Sequence, residues 1–292
     1  MIWQNLLEGL GSVLSFFYDV IPSYGAAIIL LTLAVRVVLI PLTIKQTRSM
    51  HAMQRIQPQL KALQQKHKGD RQKLNEEVMK LYKEHQVNPL GGCLPLLLQL
   101  PVFIALYSVL RGDPNKGGAG HNPAIAHLPE GSSLAQTIDS GNAGFLGMNL
   151  SCGPLQAGRG VVNLGRGVSI DCGEGWSLAI PFFVLVALMV FTTFYQQKQM
   201  QASTGQAAAQ QQLMMKIMPV FLGFISLSIP AGVLIYWVTT NLWQVGQQAV
   251  MLRTRAQQPS GSGKAVAPPP RTTPPKPSGR KNAGSRKKRR KR

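Results

Sequence analysis

Arg36 stands inside an apolar stretch, residues 23–44, that is otherwise long enough to cross a lipid bilayer. At about 1.5 Å per residue, a helix of that length spans roughly 30 Å, the thickness of the hydrocarbon core. A guanidinium keeps its charge in a protein, so at such depth it must meet an acid, a carbonyl or water. Four further stretches, residues 89–110, 176–197, 213–229 and 232–251, are about as long as a membrane helix needs, and none contains Asp, Glu or His. A cation in such a bundle predicts a water-containing cavity.

Composition supports the membrane reading. The chain is 45% hydrophobic yet carries a net charge of +20, a combination that conflicts in a soluble domain. It is consistent if the apolar segments lie in lipid and the charge lies in loops and tails. Residues 45–88 hold ten Lys/Arg against four acids, residues 111–175 four against five, and the tail from Arg253 fourteen against none. Five spans place both basic segments on one side, which the positive-inside rule makes cytoplasmic. Four or six spans would divide them. The N-terminus is then outside and the C-terminus inside. Residues 1–22 lack the basic start and small-residue cleavage site of a signal peptide, and no transit segment is visible. A bacterial plasma membrane is the expected location.

The expected fold is an all-α polytopic membrane protein. An N-terminal interfacial helix (1–22) shows Trp3, Leu6, Leu7, Leu10, Val13, Leu14 and Phe17 at helical spacing, with Asn5, Glu8, Ser12 and Ser15 opposite. A cytoplasmic helical hairpin (45–88) would pair Met53, Ile56, Leu60 and Leu63 with Leu74, Val78 and Leu81 about a turn at Gly69-Asp70. Pro58 either divides its first arm or kinks a continuous one. The outer loop 111–175 is rich in Gly, Asn and Ser and reads as irregular or short-stranded. Residues 198–212 form an inner loop. From residue 253 the Pro/Gly/Ser-rich, then polybasic, tail cannot bury a core and is expected to be disordered.

Several residues invite a functional reading beside an ordinary one. Arg36 would have to snorkel about nine residues, roughly 13 Å, to reach the inner interface, further than its side chain comfortably extends. Thr32 lies one turn outward on the same face. Gln99, Thr192, Thr193, Gln196, Thr239, Thr240, Asn241 and Gln244 occur at similar depth in other spans. Singly, each is the hydrogen-bonding glue common between membrane helices; together with Arg36 they favour the lining of a cavity. Phe103, Tyr236 and Trp237 are interface anchors or packing residues on their own. Cys152 and Cys172 share the outer loop, where compartment permits a disulfide without deciding it. Cys93 reads as an inert thiol. His121 and His127 read as a solvated loop pair, and no metal or other cofactor is expected. The terminal run Arg286, Lys287, Lys288, Arg289, Arg290, Lys291, Arg292 could bind anionic lipid or RNA phosphates. An enzyme is disfavoured because the spans hold no acid or His to act as base or ligand. A transporter would want coupling residues and an internal repeat.

Thr32-Leu-Ala-Val-Arg36, Ile40-Pro-Leu-Thr43, Gln57-Pro-Gln-Leu-Lys61, Asn88-Pro-Leu-Gly-Gly-Cys-Leu-Pro95 continuing to Phe103, Pro230-Ala-Gly-Val-Leu-Ile-Tyr-Trp237, Asn241-Leu-Trp-Gln244 and Gln247-Gln248 stand in one order along the chain. Together they resemble the YidC/Oxa/Alb family of membrane protein insertases in its five-span form. The resemblance covers residues 1–253 apart from the outer loop. It implies a hydrophilic groove open to cytoplasm and lipid, with the family arginine at Arg36, a threonine at Thr32 and substrate-contact aromatics at Phe103, Tyr236 and Trp237. On the fourth span, where the family often has an aromatic, this chain has Ile225. The resemblance further implies nascent membrane proteins as clients. The ribosome, a Sec translocon, the signal recognition machinery and anionic lipids are implied partners, with the basic tail as the ribosome contact.

Overall fold

A computed structural model describes residues 2–86, 94–111, 125–165, 168–204 and 209–256, with side chains at most of these positions. The described elements run α1 (Ile2–Val20), α2 (Tyr24–Lys66), α3 (Arg71–Glu84), α4 (Leu94–Arg111), α5 (Ser133–Asp139), β1 (Gly144–Phe145), β2 (Met148–Asn149), β3 (Arg159–Gly165), β4 (Val168–Glu174), α6 (Trp176–Thr204), α7 (Ala209–Ser226) and α8 (Ala231–Ala256). Residues Met1–Met251 form one compact unit and Leu252–Arg292 a second, of which only the end of α8 is described.

Helix α2 carries both the first apolar stretch and the first arm of the basic hairpin. Its 43 residues run without interruption through Pro41 and Pro58, a length of roughly 65 Å, about twice the hydrocarbon thickness. At Asp70 the chain reverses: the Asp70 carboxylate accepts from Lys73 N at 3.0 Å and caps α3. The arms α2 and α3 bury Ile56 and Leu81 between them, while Leu60, Leu63, Leu74 and Val78 are half-buried. Met53 lies where side chains are not described. So thin a seam buries little apolar area.

Tyr24–Ile44 of α2 and Trp176–Gln199 of α6 are long and apolar enough to cross a membrane, among the described residues. Leu100–Leu110 and Ile217–Ser226 are shorter apolar segments. Helix α8 has the length, but Thr239, Thr240, Asn241, Gln244, Gln247 and Gln248 dilute its apolar character. Ile180, Phe183, Val184, Phe191 and Phe194 on α6, with Val220, Phe221 and Phe224 on α7, are all exposed. In water that would be a far larger apolar patch than a soluble monomer tolerates; against acyl chains it is the ordinary outer surface of a bundle.

Helix α1 packs part of its apolar face into the bundle. Its buried residues are Leu7, Gly11, Leu14, Ser15 and Tyr18, whereas Trp3, Leu6 and Val13 are exposed. The small residues permit this packing. A Cβ at Gly11 would collide with the His127 carbonyl, so the bare backbone admits the outer segment there. Tyr18 completes the contact by hydrogen bonding through its hydroxyl to Thr137 of α5 at 2.9 Å.

The fold is mostly helical rather than all-α, and among the described residues the segment between α4 and α6 is short-stranded, one of the two expected forms. It contains α5, capped by Ser132, and two antiparallel hairpins, β1–β2 and β3–β4. Gly175, at φ +93°, takes the left-handed turn that passes the chain from β4 into α6. A disulfide joins Cys152 to Cys172, both buried. His127 is also buried, at 5% exposure, so it is not a solvated loop residue; Leu128, Leu134 and Ile138 share the same core. His121, Cys93 and the terminal basic run lie outside the described residues.

Candidate functional site

Arg36 sits two turns before the C-terminal end of the apolar part of α2 and is only 4% exposed. One face of α8 is turned to it. The two ends of a glutamine amide are told apart by their hydrogen-bond partners. In the orientation that satisfies both ends, Gln244 Oε1 lies 3.1 Å from Arg36 Nη1 and 3.2 Å from Nη2, and its nitrogen is directed at the Gln196 side-chain amide of α6. Tyr236, buried two turns earlier on α8, lies within electrostatic range of the same guanidinium. A cation and two carboxamides from three helices thus meet where hydrocarbon would otherwise be packed.

A second polar contact ties α8 to α6. Asn241 Nδ2 donates to Thr192 Oγ1 at 3.1 Å and to Thr193 Oγ1 at 2.8 Å, with all three residues buried. Thr192 in turn donates to the Met189 carbonyl at 3.0 Å. Asn241 therefore acts as interhelical glue, its two donors both satisfied. Thr32 is bonded within its own helix, donating to the Ile28 carbonyl at 2.6 Å, which leaves its oxygen lone pairs as an acceptor. Thr240 differs: its Oγ1 is buried and has no hydrogen-bond partner among the described residues. A buried hydroxyl in that condition costs about 1–3 kcal/mol unless water reaches it.

The aromatic residues form a single cluster between α4 and α8. The Phe103 ring packs 5.1 Å from Trp237 in an edge-on contact, 6.3 Å from Tyr236 and 5.9 Å from Tyr107. Phe103 and Trp237 are half-buried, so the cluster keeps an accessible side. Gln99 lies on α4 one turn before Phe103, at a position whose side chain is outside the described residues. Ile225 on α7 is 41% exposed.

Three site residues escape a depth-based reading of the sequence. Gln247 Nε2 donates to Thr43 Oγ1 at 2.7 Å, and Trp243 Nε1 donates to Gln247 Oε1 at 3.2 Å. This α2–α8 contact continues the polar seam past Arg36 and Gln244 toward the C-terminal ends of both helices. The signal was periodic: Thr43 follows Arg36 by seven residues and Gln247 follows Gln244 by three, so each shares a helix face with its predecessor.

Chemically, the site offers hydrogen-bond donors, acceptors and one fixed positive charge. Among the described residues, no three His, Cys, Asp or Glu converge to hold a metal ion.

Residues 16–258 match the model of the family described as 60Kd inner membrane protein. The chain belongs to that family. It is an integral membrane protein, similar to proteins named membrane protein insertase YidC. It is 34% identical to that of Magnetococcus marinus over 88% of this chain and 37% of the relative. For Lawsonia intracellularis the figures are 36%, 86% and 39%, and for Streptomyces avermitilis 33%, 84% and 54%. The chain thus spans roughly two fifths to one half of the length of these YidC relatives. It is also similar in structure to an active YidC insertase crystallised with its first transmembrane domain resolved, at a TM-score of 0.52 and 26% identity, over 86% of this chain and 46% of that one.

Proposed function

We propose that this chain is a membrane protein insertase, and that the polar seam between α2, α6 and α8 lines a hydrophilic groove open to the cytoplasm and to lipid. The observation that carries this reading is the meeting of buried Arg36 with Gln244 and Gln196 inside otherwise apolar helices. A guanidinium at that depth, with the neutral amide of Gln244 beside it, is suited to receive a passing anionic group.

In this reading α2, α4, α6, α7 and α8 are five spans, with the N-terminus outside and the basic hairpin and tail in the cytoplasm. A polar extracytoplasmic segment of a client enters the groove from the inside. Water and Arg36 lower the cost of carrying its charges into the bilayer, about 2.5–3.5 kcal/mol each at the helix centre. The client's apolar helix slides past Phe103, Tyr236 and Trp237 into lipid. That partitioning, with a membrane potential contributing about 2.3 kcal/mol per charge per 100 mV, drives the tail outward. No covalent step and no nucleotide are needed. Ribosome docking through the basic tail and cooperation with a Sec translocon would deliver clients to the groove.

Purified protein in liposomes, supplied with a short one-span client bearing an acidic outer tail, should protect that tail from added protease. Protection no greater than in protein-free liposomes would reject the insertase reading.

A further inference from the structure

The outer segment grips the two helices that meet at Arg36 and Gln244. Toward α8, the Cys152 carbonyl accepts from Ala231 N at 2.8 Å and the Leu150 carbonyl from Gly232 N at 3.0 Å. These are the first amides of α8, which find no acceptor in their own helix. The preceding turn is held too, since Leu155 N donates to Leu227 O at 3.1 Å. Toward α2, the Phe145 ring occupies the space a Cβ on Gly25 would need. The helices also touch directly: a Cβ on Gly232 would come within 3.2 Å of Ile28 Cδ1.

Gly25 precedes Arg36 by eleven residues and Gly232 precedes Gln244 by twelve. Both grips therefore lie roughly 16–18 Å outward of the site along two helices running the same way. The Cys152–Cys172 bond fastens the gripping turn to β4, which turns through Gly175 directly into α6. One buried covalent bond joins the outer supports of all three helices that supply the polar seam.

We propose that the Cys152–Cys172 disulfide locks a positioning clamp on the outer ends of α2 and α8, and that the groove is fully set for insertion in the oxidised chain and less well set in the reduced one. The activity readout rests on the insertase reading; the structural readout does not. The bond is made by exchange with a disulfide-bearing oxidant: one thiolate opens the oxidant's disulfide and the other closes the bridge. The oxidant leaves as a dithiol carrying the two electrons and two protons. A thiol-oxidising reaction on the outer side must therefore precede full activity.

The test uses the full chain in liposomes with Cys93→Ser as background. Oxidised protein, phosphine-reduced protein and the Cys152→Ser/Cys172→Ser variant are compared for client insertion. The oxidised form and the double-serine variant, each also carrying Thr240→Cys, are compared for labelling of that residue by an impermeant reagent added outside. Loss of the lock should lower insertion about fivefold, the equivalent of about 1 kcal/mol for a lost helix cap, and expose Thr240→Cys to the outside. Adding Pro230→Asp to the double-serine variant supplies α8 with its own capping acceptor and should restore both readouts. Equal insertion by all forms with Thr240→Cys still shielded would overturn the proposal. So would lost insertion with unchanged labelling and no rescue, which would mean that the bond serves folding alone. If the oxidised protein itself inserts nothing, the insertase reading fails while the labelling still judges the clamp.

Discussion

Gln244 on α8 presents its carboxamide oxygen to both terminal nitrogens of Arg36 on α2, at 3.1 and 3.2 Å. A neutral amide oxygen accepts from the guanidinium without itself cancelling the charge. Gln244→Glu would keep the shape and place a negative charge directly beside the guanidinium. We expect this variant to fold at least as stably as the parent and to insert clients with acidic tails poorly, because the local field is cancelled. Insertion assays with Gln244→Glu and the isosteric parent check this; undiminished insertion of acidic clients would show that the charge of Arg36 is not used.

Asn241 is assigned a different role. Its bonds to Thr192 and Thr193 are buried and complete, so its contribution is to packing. Asn241→Ala and Thr193→Ala should each destabilise the protein, with a coupling energy of about 0.6–1.7 kcal/mol in a double-mutant cycle. Additive losses would mean that the bond adds nothing in the membrane.

Cysteines placed at Thr32, Gln99 and Thr240 should react with an impermeant reagent from the cytoplasmic side and stay protected from outside in the oxidised protein. The partnerless Thr240 hydroxyl is the sharpest of the three, since a wet groove accounts for it. Protection of all three from both sides would mean a dry bundle.

Deleting residues 256–292 removes twelve of the fourteen tail cations. Ribosome association should weaken, and binding by the intact chain should fall steeply between about 50 and 200 mM salt, as expected when phosphate contacts release counterions. Insertion in purified liposomes should change little. Equal ribosome recovery by intact and truncated protein across that range would remove the docking role.

Much of this arrangement is legible in the sequence because lipid enforces simple rules. Arg36 announces itself by its apolar neighbours, and Gln244, Asn241 and Gln196 by polarity at matching depth. What each residue does is less legible. Asn241 and Gln244 lie three residues apart, yet one binds α6 hydroxyls and the other the α2 cation, a division fixed by helix rotation that no periodicity reports. The outer segment was least readable. Its core is assembled from hairpins and a short helix around Cys152–Cys172, and its contact with α1 depends on the bare backbone of Gly11. Such close approaches leave only a small residue in the sequence, which an amphipathic pattern ignores. The direct Thr43–Gln247 bond was hidden for the same reason as the Arg36–Gln244 contact: both join residues about two hundred positions apart.

One comparison decides whether Arg36 serves as a positive charge in a wet groove. Wild type, Arg36→Lys and Arg36→Ala are reconstituted at equal density, and insertion is scored for two clients differing only in whether the outer tail is acidic or neutral. The account predicts that Arg36→Ala loses the acidic client far more than the neutral one, while Arg36→Lys retains most activity on both, because charge matters here more than the planar fork. Equal losses for the two clients in Arg36→Ala would contradict it and leave Arg36 as a packing residue.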